Sequence, residues 1–469
     1  MPDGLDVSGG TSAVSTEDLD CAADQLRRLA TEAGAMSAEL ARLEVPSSHG
    51  VFYGDQARVD IELATARLAE IAHRAEMLQV VLRTAAQGYV VSERIVSAGV
   101  RGLQESAAQW VGSRVPGWLV TSGLVVSMAG GLWAGIRAAG GLGGVLGTPF
   151  DKDGVPRASP FLREHNYLIN NATTVSAIRA IAQATGPFVL GTMGMPAGTS
   201  PLLGARSFEL GAKAIVAQGR SLGLFDETPV RLVETRSLPV IGPPQDYVDR
   251  LARIPYFEHE SGPQVMIEKY SVSGEPDRFS VYVGGTVTFS PAATTEPWDM
   301  TSNMLNATGA ESGSVASVRA AMLAAGVDEG SPVQFTGYSQ GGGTAARLAA
   351  SGIYNTQGLT TFGGPTGQVP LPDAFPVVIV EHSDDPVPAL GGEQDNTSAV
   401  LVRRDVFGGT NLPHTYGVPS HHIEYYLQTA RLMDESGSPQ LDATLEKLDQ
   451  FTAGATLGSS TTYRFERSD

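Results

Sequence analysis

Val333-Gln334-Phe335-Thr336-Gly337-Tyr338-Ser339-Gln340-Gly341-Gly342-Gly343 is an apolar run that ends in Gly-x-Ser-x-Gly and opens into an alanine-rich segment. Ser331-Pro332 precedes it, and Thr344 to Ala350 follows with small residues, Leu348 and no proline. The pattern predicts strand, tight turn and helix in that order, the arrangement called a nucleophile elbow. In such a turn Gly337 and Gly341 are required because side chains there would strike neighbouring backbone, and Ser339 presents its hydroxyl. An ordinary glycine-rich strand-to-helix turn is written in the same letters, so the reading depends on partners elsewhere in the chain.

A reactive serine needs a base, and the base needs a carboxylate that sets its tautomer and stabilises its protonated form. Pro376-Val377-Val378-Ile379-Val380-Glu381-His382 reads as a buried strand, and it leads into Ser383-Asp384-Asp385-Pro386-Val387-Pro388. A carboxylate just past the C-terminal end of a strand lies on the sheet edge where ligand sites form in α/β folds. Asp385 is preferred to Asp384 because Pro386 holds the backbone of the residue before it extended. Three histidines follow: His414, His421 and His422. Gly417 to Ala430 reads as a loop entering a helix with Ser420 as N-cap, which puts His421 or His422 in the first turn. The residues alone leave both open.

These segments resemble the serine esterases and lipases of the α/β-hydrolase superfamily, in particular its class 3 lipase-like bacterial branch. Asp385-Pro386-Val387-Pro388 is similar to the family's sequence at its catalytic aspartate, and His421 to Ala430 to its closing histidine with Tyr and Thr-Ala at fixed offsets. Val281-Tyr282-Val283-Gly284-Gly285-Thr286 is similar to its strand-then-Gly-Thr segment, with Gly284 where the family carries arginine. Trp298-Asp299 and Asn303 fit a polar segment of bacterial members and acquire no chemical role from the sequence. The resemblance spans residues 236 to 440. It implies Ser339 as nucleophile, Asp385 as carboxylate and His421 as base, with His422 as the alternate. It implies an oxyanion hole from the Gln340 N–H and the amide or hydroxyl of Thr286. An ester or lipid substrate and an acyl-enzyme intermediate follow. A thioesterase or peptidase would use the same residues, and a secreted binding or effector protein with a silent hydrolase-like domain is the rival from another class.

Strands are expected near 264–272, 279–285, 333–335, 359–362, 377–380 and 399–406, with an edge strand at 461–465. Helices are expected at 205–224, 314–325, 420–430 and 441–451. Alternation of the two predicts an α/β domain over residues 236–469 with a mostly parallel sheet.

Composition supports a folded protein: 42% hydrophobic and 17% charged residues in 469 allow a large core and more than one domain. A formal charge of −18, with no basic run or aromatic platform, argues against nucleic acid. The single Cys21 excludes an internal disulfide framework and reads as a small core residue. No Cys/His cluster has metal spacing, and Gly140 to Gly147 lacks the Lys-Ser/Thr of a phosphate cradle, so neither cofactor nor metal is implied.

Residues 1–110 read as an all-α helical hairpin. Leu19, Ala22, Leu26, Leu29, Ala33, Met36, Leu40 and Leu43 are spaced alternately three and four apart, with Ser15 and Asp18 as a cap. Ile61, Ala64, Leu68, Ile71, Ala75, Leu78, Leu82 and Ala85 continue the pattern, and a turn through Pro46 to Gly50 would let the stripes face each other. The pair resembles the WXG100-like hairpins of actinobacterial type VII secretion substrates. Phe52-Tyr53-Gly54 stands at the position of their Trp-x-Gly, and Tyr89-Val90-Val91-Ser92-Glu93 at that of their export signal. The resemblance implies a secretion-system partner and a secreted or cell-envelope location, with cytoplasmic residence as the alternative. Residues 1–15 are polar, with no apolar core of a cleavable signal. Residues 111–235 form a Gly/Ala-rich helical region, a candidate lid or membrane-proximal segment. Within it Val115 to Ile136 carries no charge and is long enough to span a bilayer, while Gly123, Gly130, Gly131 and Gly135 weaken it as a helix.

Overall fold

The computed structural model describes residues 4–9, 16–43, 61–73 with 75, 76 and 79, and 163–468 apart from 165, 194, 196–198, 222, 257–261, 289–292 and 410. Phe52 to Gly54, Tyr89 to Glu93, Val115 to Ile136 and Gly140 to Gly147 lie outside the described residues. Two compact units are present: residues 12–101, and residues 1–11 with 102–469.

The larger unit is α/β. Its strands are β1 (Leu5–Gly9), β2 (Val230–Leu238), β3 (Val265–Ser271), β4 (Arg278–Val283), β5 (Pro332–Tyr338), β6 (Asn355–Phe362), β7 (Val377–His382), β8 (Val400–Arg404) and β9 (Thr456–Arg467). They form one sheet in the order β1-β8-β7-β6-β5-β4-β3-β9-β2. β4 to β8 pair in parallel, and β1, β3, β9 and β2 add antiparallel margins, so the sheet is mixed around a parallel centre. The expected edge strand at 461–465 lies inside the sheet as part of β9, because β2 pairs along its outer side. Neither β1 nor β2 was anticipated. β2 exposes most of its residues on both faces and so carries no alternating apolar pattern to read.

Helices cover both faces. Val377 and Ile379 of β7 point into one core and Val378 and Val380 into the other. That is why the segment reads as an unbroken apolar run. The first core takes residues of α6 (Gly313–Ala325) and α7 (Gln340–Ala350); the second takes residues of α4 (Tyr247–Ala252), α8 (Ile423–Asp434) and α9 (Pro439–Asp449). Here α1 is Thr16–Leu40, α2 is Ala172–Thr192, α3 is Ala205–Arg220 and α5 is Met300–Ala307. Caps agree with the local sequence: Asp299 starts α5 and Ser312 starts α6, each side chain accepting a backbone N–H three residues on.

In the smaller unit, α1 and a second helical stretch at 61–73 are linked by the Ser37 hydroxyl donating to the Thr65 carbonyl at 3.0 Å. Ala33 and Ala75 are buried, but Leu29, Met36 and Leu43 remain 46%, 58% and 56% exposed. The less exposed face of α1 runs through Leu26, Ala30, Ala33, Ser37 and Leu40. The expected stripe is therefore only half used: Leu26, Ala33 and Leu40 lie on the less exposed face, and Leu29, Met36 and Leu43, seven apart, stand beside it.

Among the described residues, no helix is long and apolar enough to cross a membrane.

Candidate active site

The parallel centre of the sheet brings three loops to one edge, the C-terminal ends of β5 and β7 and the approach to α8. Ser339 sits between β5 and α7 with φ 55° and ψ −126°, one of three non-glycine residues with positive φ among those described. A side chain held there costs about 1–3 kcal/mol and persists because the surroundings enforce it. The enforcement is visible at the glycines. A Cβ on Gly337 would lie 2.3 Å from the Gly341 carbonyl oxygen, and one on Gly341 would lie 2.2 Å from that of Val283. Backbone passes where side chains would be, and the turn is pinned by the Ser339 N–H donating to the Phe362 carbonyl at 2.9 Å.

His421 Nε2 lies 2.8 Å from Ser339 Oγ, and His421 Nδ1 lies 2.6 Å from Asp385 Oδ2. Asp385 is wholly buried. It also accepts the Tyr426 hydroxyl on Oδ2 at 2.8 Å and the Val387 N–H on Oδ1 at 2.9 Å. The His421 ring stacks on Tyr338 with centroids 5.3 Å apart, and the Tyr338 hydroxyl donates to the His421 carbonyl. With a carboxylate on Nδ1, that nitrogen carries the proton and Nε2 is left to accept from the serine.

The other sequence candidates fall elsewhere. His422 is not brought to Ser339. The 3-10 turn Pro419–His421 ends there, His422 becomes the N-cap of α8, and its ring stacks on Tyr416 at 4.0 Å with Nε2 3.3 Å from the Tyr256 hydroxyl. His414 Nδ1 meets the Arg163 carbonyl at 2.9 Å. Asp384 turns away from His421 to accept the Val406 and Phe407 N–H groups at 3.2 and 3.1 Å. Burial pushes its carboxyl up to about 6. Asp385 itself has φ −99° and ψ 117°, the extended backbone that Pro386 demands.

Gln340 opens α7, so its N–H has no intrahelical acceptor. Gly285 borders Ser339: a Cβ there would lie 3.1 Å from that of the serine. Thr286 follows directly, its Oγ1 accepting Asn303 Nδ2 at 3.1 Å. Gly284, in the place of arginine, has no room for any side chain, since a Cβ would meet the Pro255 carbonyl oxygen at 2.8 Å.

Trp298, Asp299 and Asn303 brace this segment. Trp298 Nε1 donates to the Gly284 carbonyl at 2.9 Å, and the Asp299 carbonyl accepts Gln340 Nε2 at 3.2 Å. Arg467 grips the Asp299 carboxylate with two bonds of 2.8 and 3.0 Å. Burial still lifts the Asp299 carboxyl to about 6, against the pull of that guanidinium. Arg467 was missed in the sequence because it lies 168 residues from its partner. His382 was missed too, although a histidine closing an apolar strand is a visible oddity. It is buried and stacked on Tyr426 at 3.8 Å, its nitrogens 2.6 Å from the Ser420 carbonyl and 2.8 Å from Thr429 Oγ1. Burial pulls its pKa down to about 4.

A cavity of about 470 Å³ opens over β2, β3 and β9, lined by Leu238, Ile254, Pro255 and Met266 among others; it contains none of Ser339, Asp385 and His421. A narrow crevice of about 40 Å³ reaches Gln340 and Gly343 beside Asn303, Gln368 and Leu390. The contacts of Ser339 decide the site, not the size of the larger cavity. Among the described residues, no group of three or more His, Cys, Asp or Glu is placed to hold a metal ion.

No family model, curated protein or solved structure matches this chain.

Proposed function

We propose that this chain is a serine hydrolase that cleaves carboxylic esters through an acyl-enzyme. The observation that carries the reading is the continuous contact from Ser339 Oγ through His421 to Asp385, at 2.8 and 2.6 Å, behind a serine of positive φ. In the reaction His421 Nε2 takes the Ser339 proton as Oγ bonds to the ester carbonyl carbon. The imidazolium is stabilised by the Asp385 carboxylate on Nδ1. The oxyanion is met by the Gln340 N–H, with Thr286 as the second donor; one such donor contributes about 3 kcal/mol in comparable sites. His421 then hands its proton to the departing alkoxide, and water repeats the sequence to release the acid.

The choice of esters over thioesters or amides rests on the resemblance to class 3 lipase-like enzymes in residues 236–440. For the N-terminal helices we propose a role as the handle for a type VII secretion partner, with a secreted or envelope location, on the resemblance of residues 1–110 alone. Hydrolysis of a chromogenic ester tests the main reading: Ser339→Ala should abolish turnover and leave the circular dichroism spectrum unchanged. Equal turnover by the variant would remove the assignment. Recovery of the protein from the native host only in lysate would argue against export.

A further inference from the structure

The loop that presents His421 has little structure of its own. Residues 413–421 contain one turn at 414–415 and one short 3-10 turn, Pro419–His421, so most carbonyls of the loop take donors from elsewhere in the chain. Four side chains supply them. Asn166 Nδ2 donates to the Pro413 and Tyr416 carbonyls at 2.9 and 3.0 Å, and Asn170 Nδ2 to that of Gly417 at 3.1 Å. His382 Nδ1 holds the Ser420 carbonyl, and the Tyr338 hydroxyl holds that of His421. The Ser420 hydroxyl lies 2.7 Å from Asn170 Oδ1 and 2.8 Å from the Asp384 carbonyl, two acceptors for its one proton. Asn166, Asn170 and Ser420 are fully buried.

The two asparagines come from the 3-10 turn Asn166–Leu168 and the residues leading into α2. That helix is itself fastened to the same sheet edge. Arg179 pairs with Glu381 at 3.1 Å and reaches the Gly392 carbonyl at 3.3 Å, and Gln183 Oε1 accepts the Glu393 N–H at 3.2 Å.

We propose that Asn170, supported by Asn166, is a positioning residue for the base: it fixes the residue before His421 and so sets the distance from His421 Nε2 to Ser339 Oγ. The inference rests on the serine hydrolase reading. It gives residues 163–192 the role of a fixed brace for the base loop, not a cover that opens and closes. Asn170 touches neither nucleophile nor substrate. Its removal therefore acts on the geometry of proton transfer, where displacements of an ångström cost up to about 100-fold in rate.

The test compares wild type, Asn170→Ala, Ser420→Ala and the double variant in full-length protein, at a temperature where all are folded by circular dichroism. The readouts are ester hydrolysis and the rate of covalent labelling by a fluorophosphonate probe. Each single variant should lower kcat and the labelling rate roughly 10- to 100-fold with KM nearly unchanged, and the double variant should lose clearly less than the product of the two, since both break the Ser420–Asn170 contact. Ser420→Ala keeps the test open if Asn170→Ala does not fold. Folded variants with wild-type kcat, or multiplicative losses in the double variant, overturn the brace and leave the hydrolase reading intact. A folded wild type that takes no probe overturns both.

Discussion

Tyr426→Phe removes one oxygen from a fully buried ring and keeps its packing against His382 and Tyr338. The hydroxyl donates to Asp385 Oδ2 at 2.8 Å, the same oxygen that receives His421 Nδ1, and accepts the His382 N–H at 3.3 Å. Burial beside Asp385 holds the phenol well above its ordinary pKa, so it is a donor throughout the working range. A hydrogen bond to an ionised acceptor contributes about 1.5–3 kcal/mol, and a buried N–H left without its acceptor costs about 1–3 kcal/mol. The variant should therefore be destabilised by roughly 2–4 kcal/mol in urea titration, allowing for the length of the second bond. No larger residue can refill the space: a Cβ on Gly363 would sit 2.9 Å from the Tyr426 oxygen, so the backbone is moulded to this ring. Asp385 keeps the Val387 N–H on its other oxygen, so it stays in place but turns more freely. The expected loss in kcat is about 3- to 30-fold, the equivalent of about 0.7–2 kcal/mol. Refutation would be a variant as stable and as active as wild type. Lost stability with full activity would reduce Tyr426 to packing.

Gly341→Ala should prevent the elbow from forming, because the added methyl meets the Val283 and Gly284 carbonyl oxygens at 2.2 and 2.4 Å, both fixed backbone. Expression in the soluble fraction and a thermal melt would show it; a folded, active variant would mean that the turn is wider than described. His382 should remain neutral until about pH 4, followed as its ring resonances by NMR; a midpoint near 6.5 would contradict its burial. The sign for stability follows from that depressed value: between pH 6.5 and 4 the unfolded chain binds the proton and the folded one does not. The contribution is complete above pH 6.5 and falls by on the order of 3 kcal/mol as pH drops to 4. Asp299, Asp384 and Asp434, raised to about 6 by burial, act in the opposite direction as pH falls from 6 toward 4. The effect is therefore to be measured as the difference between wild type and His382→Gln, which should shrink as pH falls; a constant difference would count against it.

What the sequence showed and what it hid divide along a physical line. Ser339, Asp385 and the His421 segment were legible because each lies where a local pattern changes period, at the end of a strand or the start of a helix. The choice of Asp385 over Asp384 was legible from Pro386 alone. His421 against His422 stays open on the residues alone, and only the resemblance favours His421. A single residue decides which ring turns inward, and it is settled by Tyr338 and the 3-10 turn, not by spacing. Asn166, Asn170 and Arg467 were invisible because their partners are 165 or more residues away and a buried asparagine or arginine has no periodic signature. Trp298 and Asn303 have no role in the sequence alone; contact with Gly284 and Thr286 gives them one. β1 escaped because five residues outside any apolar pattern gain strand structure only by pairing with β8. In α1 the spacing was read correctly as helical, yet spacing does not say which side of the stripe is covered.

The central claim is that Ser339 is made nucleophilic by His421. Mass spectrometry of the intact, folded protein after exposure to a fluorophosphonate tests it most directly. One adduct per chain on Ser339 is expected, with labelling slowed at least 100-fold in His421→Ala and absent in Ser339→Ala. Folded wild type that gains no mass, or a His421→Ala variant that labels at the wild-type rate, would contradict it.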